Sequence, residues 1–477
     1  MTALTLLSVA ALSVTPGVPA ASSASAMASR SADVAVSTYV SRLARSSGEE
    51  VAAPSVPIPS FSRQTGLACS ACHTSFPQLT PFGRLFKLNG YTMTSQKTVQ
   101  AQGDSAGGQS LRLDLIPPVS AMVISSLSSV NRDVPGQQNG TMEFPQELGL
   151  FIGEAITPKI GTFLQLTYDP AEGGISIDNA DIRFADHTSV GGKDVLYGFT
   201  VNNSPTVQDV WNSTPVWGFP FSSSDAAPTP MASTLIDENL GQQVMGVGTY
   251  ALWNNLVYGE VSVYRSAFQG GPIPVDGSAE NTIHGVSPYW RIAVQHALSG
   301  GQIEVGTYGM VAHLVPSGFA GPRDRYSDIG FDAQFDREMP NGASFVAHGT
   351  GIVEHRHLGA TAASGGASNV NSNLGTVRVD GTYYTPSRVG LSAGLFSTTG
   401  DADPLLYPSD PITGSATGSP NSQGYVLQLS FMPWLNTRLG LQYVGYTKFN
   451  GASQNYDGTG RNASDNNTLY LMTWLVF

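Results

Sequence analysis

From about residue 108 to the end of the chain, polar and apolar side chains alternate with a period of two, which is the pattern of β-strands. In residues 328–336 the aspartates fall on one face, while Ile329 and Phe331 fall on the other. The same alternation recurs at residues 377–380 and 427–431. A chain patterned in this way over most of its length must place its strands in a sandwich, a propeller or a barrel.

Short turns and long polar segments separate the strands in almost regular alternation. Short connections with the residues of hairpin turns are Thr157-Pro158-Lys159, Trp253-Asn254-Asn255, Ser299-Gly300-Gly301, Met339-Pro340-Asn341-Gly342, Thr385-Pro386-Ser387-Arg388 and Pro433-Trp434-Leu435-Asn436. Longer segments lie near residues 129–144, 203–241, 267–287, 312–327, 356–374, 399–423 and 449–467. This organisation predicts roughly 16 strands of about 9 to 11 residues, as in bacterial outer-membrane barrels. The last predicted strand ends on the aromatic Phe477, which resembles the assembly signal of such barrels.

The composition favours a barrel surface that faces lipid. Charged residues make up 12 % of the chain, against roughly 25 % in typical globular proteins. No apolar run reaches the roughly 18 residues of a transmembrane helix, so strands are expected to cross the membrane. A soluble β-sandwich, a β-propeller and two tandem β domains are the alternatives, but their outer faces need more charge. We therefore predict a mostly β fold with a transmembrane antiparallel β-barrel over residues 108–477.

The N-terminal residues predict export to the outer membrane. Residues 1–14 have an apolar core and small-residue cleavage sites follow, so residues 1–26 are assigned to a signal peptide, although no Lys or Arg precedes Arg30. Residues 27–59 are rich in Ser, Ala and Pro, which is typical of a linker. The net charge of -12 argues against nucleic acid as a partner and favours cationic ligands.

The two cysteines of the chain stand in the motif Cys69-Ser70-Ala71-Cys72-His73. Two cysteines separated by two residues can form thioethers with both vinyl groups of one porphyrin, and the adjacent imidazole then ligates the iron. A structural zinc site would need four ligands, and the nearest other histidine is His187. A redox disulfide would not require the histidine. The motif therefore predicts one covalent haem c, held by Cys69, Cys72 and His73.

A short helix is predicted after the motif. Thr80 and Pro81 have the features of a helix start, and Gly90 has those of a stop. In so small a segment, the haem is the core available to the apolar face of this helix. Residues 60–107 are therefore predicted to be a monohaem cytochrome c domain that could hardly fold without its porphyrin.

The chain resembles the fused monohaem cytochrome–porins of the bacterial outer membrane, which are best known from iron-oxidising bacteria. The segments that carry this resemblance are residues 63–73, Phe76-Pro77, Phe82-Gly83-Arg84, Phe86-Lys87 and Gly90-Tyr91-Thr92. Residues 202–212, with Pro215, Trp217, Gly218 and Pro220, are similar to the family's long loop after the fifth strand. The resemblance implies an oxidoreductase that oxidises extracellular Fe(II) and delivers the electron to a periplasmic cytochrome c or copper protein.

A single haem must lie inside the barrel to serve this purpose. The hydrocarbon layer is about 30 Å thick, so a haem left in the periplasm would be too far from a donor outside the cell. We therefore expect the cytochrome domain to plug the lumen, where a small donor approaches from one side and a protein acceptor from the other. A barrel of roughly 16 strands is wide enough for such a plug.

The sequence does not identify the sixth ligand of the iron. Met93 is the nearest methionine after His73 and is the first candidate, because a thioether ligand raises the reduction potential, as an acceptor of electrons from Fe(II) needs. His348 on the predicted barrel wall is a weaker candidate. An open or water-ligated position is the third.

Polar residues of the predicted barrel allow further interpretations. Asp328, Asp332 and Asp336 are expected on the lumen face of one strand, where they either contact Fe(II) or belong to a charge network of the lumen. Asp401 and Asp403 are placed in an outer loop.

Two pairs of ring side chains also have open roles. His355 and His357 lie two residues apart near a strand end, so they form either a metal-binding pair or a solvated loop edge. Trp211 and Trp217 either order the long loop over the haem or anchor the barrel at the membrane interface, and the resemblance favours the first role.

Two other functions compete with inward iron oxidation. One is a diffusion porin whose haem-containing segment is a structural or gating plug. The other is a conduit that moves electrons outward or serves a different donor, such as a sulfur compound or an organic reductant.

Overall fold

The computed structural model of the chain describes residues 59–93, 99–101, 111–113, 118–170, 174–205, 207, 209–214, 218–240, 243–267, 282–316 and 321–477. The predicted signal peptide and linker lie outside these ranges, apart from Pro59, and so do Pro215 and Trp217.

Within the described residues, sixteen long strands close into one antiparallel barrel. They are β1 (Val119–Val130), β2 (Thr141–Thr157), β3 (Ile160–Asp169), β4 (Gly174–Val190), β5 (Lys193–Asn202), β6 (Val244–Trp253), β7 (Val257–Ser266), β8 (Ser287–Leu298), β9 (Gly301–Val315), β10 (Asp324–Glu338), β11 (Ser344–His357), β12 (Asn371–Tyr384), β13 (Val389–Gly400), β14 (Ser422–Trp434), β15 (Thr437–Lys448) and β16 (Thr468–Val476). Strands adjacent in sequence pair with one another, and β16 pairs with β1 to close the barrel. A two-residue strand, Thr282–Ile283, pairs additionally with β9. The predicted barrel of roughly 16 strands is confirmed.

Several strands are longer than the sequence pattern indicates. β2 and β4 each have 17 residues, whereas about 9 to 11 residues suffice for a tilted crossing of the membrane. The additional ladder residues extend the sheet beyond the length that a crossing needs. In β2 they keep the alternation, with Met142 and Phe144 exposed on the outer face.

The connections have the predicted arrangement of short turns at one end and long loops at the other, except that only residues 170–173 join β3 to β4 at the long-loop end. All six predicted turns join neighbouring strands, and Asn254 and Asn255 adopt the positive φ of a two-residue hairpin turn. A further short turn, which the sequence analysis missed, lies between β4 and β5. There Gly191 and Gly192 have φ of 62° and 73°, a conformation in which glycine is not strained.

The outer loops contain some regular structure. A short helix, Gly359–Ala363, lies between β11 and β12, and a 3-10 turn, Ala463–Asn466, precedes β16. The loop after β5 contains a π-helical turn at Leu235–Asn239.

The barrel turns apolar side chains outward and polar side chains inward, as predicted. On β10, Phe331 is 62 % exposed, whereas Asp328 and Asp332 are buried in the lumen. Among the described residues, no helix has the length and the apolar character needed to cross a membrane. A closed antiparallel barrel with this inside-out polarity, short turns at one end and long loops at the other is a bacterial outer-membrane protein, and its short turns face the periplasm.

The segment that carries the cysteine motif lies inside the barrel. It consists of helices α1 (Ser60–Thr65), α2 (Cys69–Cys72) and α3 (Pro81–Leu88), with a two-stranded ladder between His73–Ser75 and Gln78–Leu79. The predicted helix is confirmed as α3, and the Thr80 hydroxyl caps it by accepting a hydrogen bond from the Gly83 N–H at 3.1 Å. We call residues 59–93 the inner segment. After it, Val99–Ala101 and Leu111–Leu113 pair with each other and not with the barrel.

The inner segment is attached near the short-turn end of the barrel. The Ser60 N–H donates to Ser120, the second residue of β1, at 2.6 Å. Arg438, the second residue of β15, donates to the carbonyl of Phe76 at 2.9 Å. Asp336, two residues before the end of β10, pairs with Arg84. These contacts place the inner segment at the periplasmic end of the barrel.

Candidate functional site

A cavity of about 570 Å³ lies between the inner segment, the barrel wall and the loop after β5. This volume is within the range of about 300–1,000 Å³ for sites that bind cofactors and small molecules. Cys69, Cys72 and His73 all line it, so the structure brings the whole predicted motif to one site. Aromatic side chains of the lining include Phe61, Phe76, Phe86, Phe151, Phe163, Phe221 and Trp474.

The wall of the cavity changes from apolar to polar along the barrel axis. On β2, the lining residue Phe151 lies nearer the short turn than Glu147 does, and on β3, Phe163 lies nearer the short turn than Gln165. Asp178 of β4 also lines the cavity. The apolar part therefore faces the periplasmic end, and the polar part faces the long loops.

His73 is oriented by its immediate neighbours in the chain. Its ring stacks on Phe76 with the centroids 4.2 Å apart, and its Nδ1 donates to the carbonyl of Pro77 at 3.2 Å. A histidine held through Nδ1 offers Nε2 for metal coordination. Burial lowers the pKa of His73 to about 4, against the hydrogen bonds to the backbone of Pro77 and Gln78. The imidazole is therefore neutral, which is the form that ligates a metal.

The start of α3 packs directly against the cysteine motif. The Thr80 hydroxyl donates to the Ala71 carbonyl at 2.7 Å, and the Thr80 N–H donates to the Cys72 carbonyl at 2.9 Å. A Cβ on Gly83 would lie 2.2 Å from the same Cys72 carbonyl oxygen, so only glycine allows this approach. These contacts fix the direction in which α2 presents its two thiols.

Two buried cations of α3 connect the inner segment to the rest of the lumen. Arg84 donates to Asp336 at 2.7 Å and to Gln302 at 2.5 Å, with 3 % of its side chain exposed. Lys87, which lines the cavity, donates to the carbonyls of Val207 and Asp209 in the loop after β5. The helix is thus attached to the barrel wall on one side and to the long loop on the other.

The end of the inner segment binds a buried ion pair of β4. The Tyr91 hydroxyl donates to Asp181 Oδ2 at 2.7 Å, and Arg183 Nε donates to the same oxygen at 2.6 Å. Tyr250 of β6 donates its hydroxyl proton to the Leu88 carbonyl at 2.6 Å. Both Asp181 and Arg183 are fully buried, so this group of contacts holds the last turn of α3 in place.

The loop after β5 folds into the lumen and covers the cavity from the long-loop side. Asp237 lines the cavity and forms a two-point ion pair with Arg378 of β12, at 2.7 and 2.9 Å. Trp211 is buried, with its ring 5.1 Å from that of Tyr258 and the guanidinium of Arg291 4.7 Å above it. Trp211 therefore orders the loop inside the lumen, as the sequence analysis favoured. The position of the loop after the fifth strand is also as expected.

The three aspartates of β10 lie on its lumen face, as predicted, and all three are engaged by neighbours. Asp328 accepts from the Ile236 N–H at 2.9 Å, Asp332 pairs with Arg291 at 2.5 Å, and Asp336 pairs with Arg84. This geometry favours the charge network over direct contact with iron. Asp328 and Asp332 hold the long loop and Arg291, while Asp336 holds the inner segment.

The two candidate distal ligands of the sequence analysis lie outside the cavity lining. The Met93 carbonyl accepts from the Gln64 side chain at 3.4 Å, and Met93 does not line the described cavity. His348 lies between Asp380, at 3.1 Å from Nδ1, and Gln78, at 3.4 Å from Nε2. It lines a second cavity of about 340 Å³, which shares Asn212 with the first. Ligation of the iron by Met93 stays a prediction.

The remaining candidates lie in the outer part of the molecule. His355 and His357 are exposed, and their Nδ1 atoms lie 2.7 Å from Asn373 Oδ1 and 2.9 Å from Asn371 Oδ1, respectively. Among the residues that the structure describes, no group of three or more His, Cys, Asp or Glu side chains has the arrangement of a metal site. The pair therefore has the surroundings of a solvated strand end.

No protein-family model and no curated protein match this chain. Among solved structures, it is similar to the anion-selective porin from Comamonas acidovorans, with 11 % identity, a TM-score of 0.42, and coverage of 75 % of this chain and 98 % of that chain. It is also similar to a loop-deletion mutant of OmpT, an outer membrane protein of Vibrio cholerae, with 10 % identity, a TM-score of 0.40 and coverage of 75 % and 98 %. The outer membrane channel DcaP of Acinetobacter baumannii has 12 % identity, a TM-score of 0.42 and coverage of 75 % and 96 %.

Proposed function

We propose that this protein is an outer-membrane electron-transfer cytochrome that holds one haem c in its lumen. It oxidises Fe(II) from outside the cell and delivers the electron to a periplasmic cytochrome c or copper protein. The observation that carries this proposal is that Cys69, Cys72 and His73 line one cavity inside the barrel, with the long loops on one side and the short turns on the other.

The residues around the motif fit a covalently attached haem. The two thiols line the cavity together, the neutral imidazole offers Nε2, and the remaining lining near them is apolar and aromatic. When it is bound, haem c supplies a one-electron iron couple. The chain positions this group through α2 and excludes water through the aromatic lining.

The polar side of the cavity suits a cationic donor. Glu147 and Asp178 line it towards the long loops, and Asp169 and Asp225 are charged neighbours of Glu147. Carboxylates along a narrow entrance attract cations and raise their local concentration. This distribution of charge supports Fe(II) as the donor and an approach from the cell surface.

The opposite side suits a protein acceptor. The inner segment is attached at the short-turn end, and Gly66 and Ser70, which flank the first cysteine, are exposed and do not line the cavity. A partner in the periplasm would therefore meet the edge of the segment that carries the thioether bonds. No large movement of the barrel is needed for this contact.

The porin alternative requires a continuous water-filled path. The lumen instead contains the inner segment and the loop after β5, which are joined to each other through Lys87. This packing favours electron transfer over diffusion of solutes. An outward conduit would use the same site, and the reduction potential distinguishes it, because a strongly negative value would favour outward flow.

Stopped-flow reduction of the purified haem protein by Fe(II) tests the identity of the electron donor and the direction of electron flow together. We expect the haem absorption to change from the oxidised to the reduced form as Fe(II) is consumed. The Cys69→Ser/Cys72→Ser variant should lose this reaction and keep heat-modifiable migration of the barrel in detergent. A haem protein that Fe(II) does not reduce, or a double variant with unchanged reduction, would refute the proposal.

A further inference from the structure

We propose that Met122, a residue of the barrel wall, is the distal ligand of the haem iron. The inference rests on the proposed function, because it requires the haem that Cys69, Cys72 and His73 would hold. It assigns to β1 a role in the electronic properties of the site. The wall would then supply one ligand of the iron, and the inner segment the other.

Among the described residues that line the cavity, Met122 is the one methionine. Several other lining side chains with nitrogen or oxygen atoms already have partners in the protein. Lys87 donates to two backbone carbonyls, Tyr91 donates to Asp181, and the Asn212 side-chain oxygen accepts from the Leu79 N–H. The thioether of Met122 can therefore coordinate iron without breaking such an interaction.

The side chain of Met122 lies over a glycine of the neighbouring strand. It lies opposite Gly149 of β2 in the strand register, and its Cε lies 3.1 Å from where a Cβ on Gly149 would be. Because glycine has no side chain, the methionine lies across the adjacent strand. Methionine is unbranched and has three rotatable bonds, so it can turn its sulfur into the cavity at low cost.

Phe76 connects His73 to the wall cluster that contains Met122. Met122 is 3 % exposed and belongs to a cluster with Trp474 and Ile124, against which Phe76 packs. Phe76 in turn stacks on the His73 ring at 4.2 Å. The imidazole and the thioether therefore reach one cavity from two different elements, the inner segment and β1.

The alternatives from the sequence have less favourable positions. Met93 is the last residue of the inner segment, and His348 lines the second cavity with Asp380 next to its ring. Neither lines the cavity that contains the cysteine motif.

A thioether ligand also agrees with the proposed reaction. Coordination by Met and His raises the reduction potential of a c-type haem. An acceptor of electrons from Fe(II) needs such a potential, whereas a carboxylate or hydroxide ligand would favour the ferric state.

The test uses the purified holoprotein and two matched variants, Met122→Leu and Met93→Leu, which keep the side-chain volume nearly constant. In the oxidised state, Met–Fe(III) coordination gives a weak absorption band at the red end of the spectrum. We expect Met122→Leu to lose this band and to shift the midpoint potential to a more negative value in a redox titration. Met93→Leu should retain the band and the potential of the unmodified protein.

A measurement on the unmodified protein removes any dependence on the folding of the variants. With 13C-methyl methionine, the reduced protein should show one methyl signal that the porphyrin ring current shifts strongly upfield. Its absence, its loss in Met93→Leu, or a Met122→Leu protein with the red band intact would overturn the assignment. A protein that carries haem and is reduced by Fe(II) in those cases would leave the proposed function in place, whereas a protein without covalent haem would refute both.

Discussion

Gly83 is a residue at which helix α3 lies directly against the cysteine motif. Its hydrogen faces the Cys72 carbonyl, which is a backbone group that cannot move aside without displacing α2. The orientation of the two thiols in the cavity therefore depends on the smallest side chain of the helix, and not on the residues of the motif alone.

Replacing Gly83 by Ala should disturb the motif. We expect a destabilisation of about 1–3 kcal/mol, the usual cost of overpacking, and a several-fold lower fraction of folded barrels with covalent haem. The fraction is measured by haem absorbance against total protein after purification.

Gly259→Ala is the matched control for this change, because a Cβ at that position of β7 meets no atom within 4 Å. It should leave the haem content unchanged. Equal haem content in the Gly83→Ala and Gly259→Ala proteins would show that the close approach of α3 to Cys72 is not needed.

At the level of single residues, the sequence predicted a functional group of residues where its members are close together in the chain. The spacing of Cys69, Cys72 and His73 is enough to predict the motif, and all three line one cavity in the structure. Met122 gives no such signal, because the alternating pattern of a strand does not distinguish a methionine that ligates a metal from one that only packs in the core. Arg84 likewise finds its partner Asp336 only through the closed barrel, 252 residues further on.

Among the elements, the loops around Asp403 show how the outer end of the barrel is ordered. Its carboxylate accepts hydrogen bonds from the backbone N–H groups of Ser368, Asn369, Leu405 and Leu406. Burial raises the pKa of this carboxyl, but these four N–H groups outweigh burial and lower the pKa to about 2. The ionised side chain thus joins the loop before β12 to the loop after β13.

This loop junction should lose stability in acid. Because the pKa of Asp403 is lower in the folded protein than its ordinary value of 3.8, the carboxylate stabilises the junction fully above that value. The stabilisation is lost as the pH falls towards 2. Hydrogen exchange of the backbone amides that Asp403 binds, corrected for the intrinsic rate, should show protection that decreases over this pH range.

The variant Asp403→Asn provides the control, because an amide does not ionise and offers only one acceptor oxygen. Its loop amides should be less protected at neutral pH, and their protection should not change between pH values above and below 3.8. A pH response equal to that of the unmodified protein would assign the acid sensitivity to another group.

Element boundaries were predictable to different degrees for physical reasons. Alternating polarity and turn residues located the strands and six of the short turns, whereas the turn at Gly191 and Gly192 follows a ladder whose last residues are exposed on both faces. The inward course of the loop after β5 could not be derived. Its polar residues resemble those of a solvated loop. The carboxylates that accept from the backbone N–H groups of Leu235 and Ile236 belong to Glu354 and Asp328, which are 119 and 92 residues away in the chain.

For the molecule as a whole, the content of the lumen decides between an electron-transfer protein and a diffusion porin. The inner segment and the long loop are tied to the wall by ion pairs. Arg84 and Asp336 form a buried pair, and the buried Asp237 pairs with Arg378, whose side chain is 27 % exposed. Removing one partner of a buried pair costs about 3–5 kcal/mol, and solvent lowers the cost for the partly exposed pair. The arrangement is therefore expected to stay closed on the time scale of solute diffusion.

Conductance in planar bilayers tests this closure. We expect small or intermittent ion currents from the purified protein. Arg378→Gln, which leaves Asp237 without its charged partner and loosens the long loop, should increase them. Large, steady currents from the unmodified protein would mean that the lumen is open and would favour the porin.

The most direct measurement of the central claim is electron transfer across vesicles that contain the purified protein. Fe(II) is added outside, and oxidised cytochrome c is trapped inside. We predict reduction of the trapped cytochrome by vesicles with the haem-bearing protein, and none beyond background by vesicles with the Cys69→Ser/Cys72→Ser variant. Equal reduction by both proteins, or none by the haem-bearing one, would contradict electron transfer through a single site in the lumen.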